Sequence, residues 1–169
     1  MSSKRKGKFI GCEEEKILLD MFRTTEVLSR PVAELLKTED LSGTQYNVLQ
    51  ILRGASEGLS CGEIGNRMIT HDPDITRLLD RMEEHQLITR ARQKEDRRVI
   101  KTRITREGLK LLKKLDRPVH ELHQDQFRHM SQSDVKRLTE LLMEVENRES
   151  CRGVPASKTI SNSQKENQE

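Results

Sequence analysis

The chain of 169 residues contains no Trp, one Tyr and three Phe. So few aromatics leave a thin core for a monomer of this length, because aromatic side chains bury the largest areas. No apolar run approaches the roughly 20 residues that a membrane-spanning helix needs. The basic start, Met1 to Lys8, is not followed by the apolar stretch of a secretory signal, which predicts a cytoplasmic protein. Three cysteines, Cys12, Cys61 and Cys151, lie far apart and form no CxxC pair, which argues against a disulfide framework or a cysteine metal site. There is no glycine-rich phosphate loop, no nucleophile–base spacing and no metal motif. The sequence therefore gives no reason to expect an enzyme, and it calls for no cofactor.

What the chain has in quantity is charge, at 35% of residues, balanced to a net +3. The balance is uneven. Over the 20 residues from Leu87 to Arg106 there are eight Lys/Arg and two acids, a local charge of +6. The same stretch changes period, from helical spacing on either side to alternation within. Two β-prone runs flank a charged tip, Lys94-Glu95-Asp96-Arg97-Arg98. In the second run Ile100, Thr102 and Ile104 share one face, expected to pack on a core. Val99, Lys101 and Arg103 share the other, which can meet something anionic. A basic two-stranded flap between helices suggests the wing of a winged-helix DNA-binding domain.

The flanking sequence supplies the rest of that plan. From Glu13 an apolar stripe at helical spacing runs through Ile17, Met21, Leu28, Val32 and Leu35, widened by Leu18 and Phe22. Pro31 predicts a kink or break near Ser29-Arg30. Ser42-Gly43-Thr44-Gln45 and Ser60-Cys61-Gly62-Glu63 both have capping-box form, opening a second and a short third helix. Asp72-Pro73 reads as an N-cap followed by proline at the first helical position, starting a helix that runs to about Gln86. Two short capped helices with a tight connection make a helix-turn-helix. A short strand near Leu59 is hinted at as a third strand of the wing. A long helix follows Thr105, with Pro118 as a second expected kink, and Ser131 caps a last one. The expected organisation is a mobile basic arm (1–12), a helical dimerisation region (13–40 and 107–148), a winged helix-turn-helix (41–106) and a disordered tail (149–169). The class is mainly α, with the small α+β element of the wing. The terminal stripes are too long for so small a domain to cover, which predicts a two-fold homodimer with interleaved terminal helices.

At this level of detail the residues resemble the MarR family of transcriptional regulators. The resemblance rests on Thr76 to Arg90, then Asp96-Arg97-Arg98, then Ile104-Thr105-Arg106-Glu107-Gly108, with Leu41 to Leu49 matching the family's second helix. It spans about residues 13–147 and weakens in the terminal helices. It implies a homodimeric DNA-binding regulator, most often a repressor, on a pseudo-palindromic double-stranded operator, with a small-molecule effector bound between the terminal helices and the reading head. The recognition helix would enter the major groove, with Asp74, Ile75, Thr76 and Arg77 in its first turn facing bases and phosphates. Arg98 would enter the minor groove with Asp96 orienting its guanidinium. The chemistry suits this, because a planar, weakly hydrated arginine favours a narrow groove of strong negative potential. Arg67, Arg77, Arg90, Arg92, Lys94 and Arg97 are expected backbone contacts. In the family the position of Arg81 is often a buried structural partner of an acid.

Several readings stay open in the sequence. Asp74 either accepts from a cytosine amine or stabilises the helix terminus. Asp116, His120 and His123 fall within one arc of a helix, so they either bridge a metal or form a solvated polar face. Cys12 stands near the start of the first helix, where some family members sense oxidants, but Tyr46 is the only tyrosine to partner it. The alternative function is a winged-helix module that binds an acidic protein or organises the chromosome without operator specificity.

Overall fold

A computed structural model describes residues 11–70, 72–93 and 99–151, with burial given as far as residue 147. The first ten residues of the basic arm, the wing tip Lys94 to Arg98 and residues 152–169 of the tail lie outside the described residues. Packing divides the chain after Gln126 into two units.

The first unit opens with α1 (Glu13–Lys37), which runs unbroken through Pro31. The break expected near Ser29-Arg30 does not occur. A proline costs one hydrogen bond and a local clash. Directly after it, Val32, Leu35 and the fully buried Leu36 pack into the core and hold the helical register. Both capping boxes form as the sequence demands. In α2 (Gly43–Arg53) Ser42 Oγ accepts from the Gln45 amide and Gln45 Oε1 accepts from the Ser42 amide. In α3 (Cys61–Gly65) Ser60 and Glu63 repeat the exchange.

The recognition helix α4 (Ile75–Glu84) starts two residues later than the Asp72-Pro73 signal implies. Asp72 does not cap it. Its carboxylate instead accepts from the Asp74 amide at 2.9 Å, closing a turn of the kind Asx residues favour. The far end closes as a Schellman motif, with Leu87 N–H on Met82 O and Gln86 N–H on Glu83 O. Gln86 occupies the left-handed position, φ 59°, where glycine is the usual occupant.

β1 (Ile88–Arg92) and β2 (Ile100–Ile104) pair antiparallel, with Arg90 opposite Thr102. The hinted third strand is a single bridge: Leu59 and Thr102 exchange both backbone hydrogen bonds, at 3.0 and 2.7 Å. Gly58 permits it. Its φ is +74°, and a Cβ there would stand 2.8 Å from Thr102 O. Only part of the expected inward face of β2 is inward. Thr102 is buried and Ile104 packs against the core, but Ile100 is 46% exposed. At the distal end of the flap it extends past the reach of the core, so it does not fix the wing.

α5 (Arg106–Phe127) is capped by Thr105, whose hydroxyl accepts from the Gly108 amide and donates to the carbonyls of Gln86 and Leu87. Gly108 is buried against that same junction; a Cβ would lie 2.4 Å from Leu87 O. The turn between α4 and β1 is thus knitted to the start of α5. Pro118 sits inside α5 without ending it. The core is built on Val48, Leu49 and Leu52 from α2, Ile64 from α3, Leu79 and Met82 from α4, and Ile88 from β1. It also takes in Leu36 on one side and Leu112, Leu115 and Val119 on the other, so the hydrophobic centre of the reading head extends past residues 41–106. Each fully buried side chain of this size contributes about 1.5–3 kcal/mol.

The second unit is built around α6 (Gln132–Cys151), with Ser131 Oγ accepting from the Asp134 amide at its start. The helix runs to Cys151, three residues into the stretch expected to be disordered from Glu149. Its apolar stripe, Leu138, Leu141, Leu142 and Val145, remains 37–48% exposed.

Candidate nucleic-acid interface

The first turn of α4 presents Asp74, Thr76 and Arg77 to solvent. Asp74 holds the N-cap position with φ −118° and ψ 43°, and its side chain makes no capping hydrogen bond. Its carboxylate is 61% exposed and stands 4.0 Å from the guanidinium of Arg77, which is 76% exposed. Thr76 beside them is exposed. Three predicted site residues therefore sit together, exposed, at the positive end of a helix dipole, two of them joined by a solvent-exposed ion pair. The turn before them is anchored from beneath: Asn47 Oδ1 of α2 accepts from the Ile69 amide at 3.1 Å. No local pattern in the sequence marks Asn47 for this, since its partner is 22 residues away.

The predicted phosphate contacts fall into different environments. Arg67 and Arg92 are exposed, with no ion pair among the described residues. Lys94, Asp96, Arg97 and Arg98 lie outside the described residues. Arg90 is not free. Its Nε donates to Glu83 Oε2 at 2.8 Å and its Nη2 to Asp80 Oδ1 at 2.5 Å. Its backbone amide donates to Glu83 Oε1 at 2.8 Å. Burial opposes its charge, but the bonds to Glu83 and then Asp80 outweigh that and push its pKa above the ordinary arginine value. Asp80 and Glu83 are one turn apart on α4 and grip the root of the wing. Arg81, by contrast, is exposed and makes no ion pair among the described residues. Arg90 is thus paired within the head, whereas Arg67 and Arg92 are not paired among the described residues.

The face of β2 expected to meet an anion also meets acids of the chain itself. Lys101, with 18% of its side chain exposed, donates to Glu63 Oε2 at 2.8 Å, and Arg103 lies 3.7 Å from Glu57. Lys101, then the Ser60 hydroxyl and amide, hold the Glu63 carboxyl down to a pKa of about 2. The same carboxylate thus caps α3 and ties it to β2.

Two of the three residues of the suggested metal arc have protein partners. Asp116 receives both its bonds from Arg53 Nη1, at 2.7 and 2.9 Å. His123 Nδ1 is 3.1 Å from Gln126 Oε1, and Gln126 in turn donates to Leu28 O of α1. Among the described residues no cluster of three metal-ligating side chains occurs. Cys12 is exposed at the N-cap of α1 and Cys61 is half-buried at the start of α3.

Comparison with known proteins agrees with this architecture. The MarR family model matches residues 41–100. A crystal structure of a MarR transcription factor from Planctomyces limnophilus is 35% identical, covers 80% of this chain and 98% of its own, and superposes with a TM-score of 0.61. The HTH-type transcriptional repressor IacR of Pseudomonas putida is 35% identical over 108 residues, which are 64% of this chain and 64% of that protein, so the match spans just under two thirds of the relative's length. The MepR–DNA complex of S. aureus shares the fold, with a TM-score of 0.69 at 20% identity over 79% of this chain and 96% of its own. Capped helix-turn-helix, wing, core and near-complete overlap with a solved member converge: the chain belongs to the MarR family of transcriptional regulators.

Proposed function

We propose that the protein is a homodimeric, sequence-specific DNA-binding regulator in the cytoplasm, and that it represses transcription until a small-molecule effector releases it. The observation that carries this reading is the open first turn of α4, where Asp74, Thr76 and Arg77 are exposed beside a two-stranded wing. A protruding helix N-terminus suits the major groove, and a wing rooted at the helix's other end suits the adjacent minor groove. In the relative from S. aureus the same fold was solved with DNA, and the P. putida relative is named a repressor.

In this reading Arg67, Arg77 and Arg92 bind phosphates, joined by Lys94 and Arg97 at the wing tip. Arg98 enters the minor groove, oriented by Asp96. Asp74, released from capping, accepts from an exocyclic base amine. Dimerisation is supported by apolar side chains left uncovered in both units: Ile17, Leu18 and Phe22 on α1 are 52–65% exposed, and the α6 stripe is open. A second copy of the chain would cover these faces, and its recognition helix would reach a half-site about one helical turn away. The effector would bind between the terminal helices and the head, where Arg53–Asp116 and Lys114–Glu39 join α5 to the α1–α2 region.

A competition assay tests the reading. Duplex from the protein's own upstream region should outcompete random duplex, and Arg98→Ala should weaken binding to it. Affinity should also fall steeply with salt. Equal affinity for both duplexes would favour a winged-helix interaction module instead.

A further inference from the structure

Asp80 and Glu83 of α4 grip Arg90 of β1. The register explains the form of this grip. Thr102 spends both backbone groups on Leu59, so its opposite residue Arg90 is a non-hydrogen-bonded pair partner whose N–H faces away from β2. That amide sits on the outer edge of β1, where a strand's unpaired groups need a cover. Glu83 covers it, and the same carboxylate takes the guanidinium Nε. Asp80 takes Nη2 from one helical turn earlier. Three bonds therefore fix both the main chain and the side chain of one wing residue to two successive turns of α4. The arginine fork is needed, since a lysine offers one point charge and cannot span both acids in fixed geometry. Alternation along β1 puts Arg92 on the same side as Arg90, further toward the wing tip and without a partner among the described residues.

We propose that Arg90 is a positioning residue for DNA reading: clamped by Asp80 and Glu83, it sets β1 relative to the recognition helix so that Arg92 meets the DNA backbone in register with the bases read by α4. This rests on the DNA-binding function proposed above. It makes a prediction opposite in sign to simple electrostatics. Removing an acid near a DNA-binding surface ordinarily tightens binding to any duplex. Here Glu83→Ala should lower the ratio of operator affinity to random-duplex affinity, by about tenfold if the coupling has the size usual for contacting residues.

The test uses the full chain and fluorescence anisotropy on operator and random duplexes over a salt series, with melting curves to confirm folding. Glu83→Ala, Arg90→Lys and Arg90→Ala should each reduce the specificity ratio. If Arg90 were itself a phosphate contact, Glu83→Ala would free its guanidinium and tighten binding to both duplexes. That result overturns the proposal. A readout free of DNA separates failure of the clamp from failure of the DNA-binding reading. Glu83→Ala should speed hydrogen exchange at the Arg90 amide, and unchanged exchange contradicts the clamp whatever the protein binds.

Discussion

Glu63 Oε2 accepts a 2.8 Å bond from Lys101 Nζ, joining the first turn of α3 to the second strand of the wing across 38 residues of sequence. The same carboxylate takes the Ser60 amide and hydroxyl, each at 2.7 Å. Lys101 foremost, then Ser60, holds its pKa down from 4.5 to about 2. A carboxyl depressed in the folded state contributes stability that is fully present above its unfolded pKa and is lost as pH falls through the folded one. The contribution of Glu63 should therefore be constant above about pH 5 and decline between about pH 4.5 and 2. Thermal melts of wild type and Glu63→Gln at a series of pH values check this. The gap in Tm should be steady near neutrality and close in acid. A gap that widens in acid would be incompatible with the depressed pKa.

Gly108 and Gly43 should respond oppositely to alanine. Both lie in the first turn of a helix, and within helices alanine is favoured over glycine by up to about 1 kcal/mol. At Gly43 nothing lies within 4 Å of the added Cβ, whereas at Gly108 it would meet Leu87 O at 2.4 Å and Ile104 Cγ1 at 2.9 Å. Gly43→Ala should leave stability unchanged or raise it. Gly108→Ala should cost about 1–3 kcal/mol, the usual range for an overpacked buried site. Urea unfolding of the two variants decides the matter, and a stable Gly108→Ala would mean that α5 is less tightly seated on the α4–β1 turn than described.

Gln86 carries a left-handed backbone, φ 59°, at the end of the recognition helix. A residue with a Cβ is disfavoured there and glycine is not. Gln86→Gly should stabilise the chain by about 0.5 kcal/mol or more, despite the added freedom of glycine in the unfolded state. A fall in the unfolding midpoint would show that the Gln86 side chain contributes more than its backbone strain removes.

These positions also show what the sequence makes legible. Where structure is decided by contacts three or four residues apart, it can be read in advance. Ser42–Gln45 and Ser60–Glu63 form their boxes, and Thr105 and Ser131 open the last two helices. Where two local signals compete, the reading slips. Asp72-Pro73 is a good helix start, but the Asp72 carboxylate is taken by the Asp74 amide, and the helix begins at Ile75. Alternation puts Ile100 inward, yet the core ends before reaching it. Pairings across the fold leave no local trace. The count of basic residues in the wing is visible in the sequence, but not that Arg90 and Lys101 answer to acids on α4 and α3.

Asp74 offers a test of base reading. Its carboxylate is exposed and makes no capping bond. If it accepts from a base amine, Asp74→Ala should relax preference at one position of each half-site by about 1–3 kcal/mol and leave the others intact. Affinities for operators substituted position by position measure this. A uniform change across all positions would return Asp74 to the role of a helix-terminus charge.

The central claim is that the open α4 turn and the wing together read a symmetric DNA site. Selection of bound duplexes from a random pool by the full-length protein tests it most directly. The account predicts convergence on an inverted repeat whose half-sites are centred about one helical turn apart, bound on the order of a thousandfold or more tighter than the starting pool. A pool that shows no enrichment, or one that converges on a motif without two-fold symmetry, would contradict it.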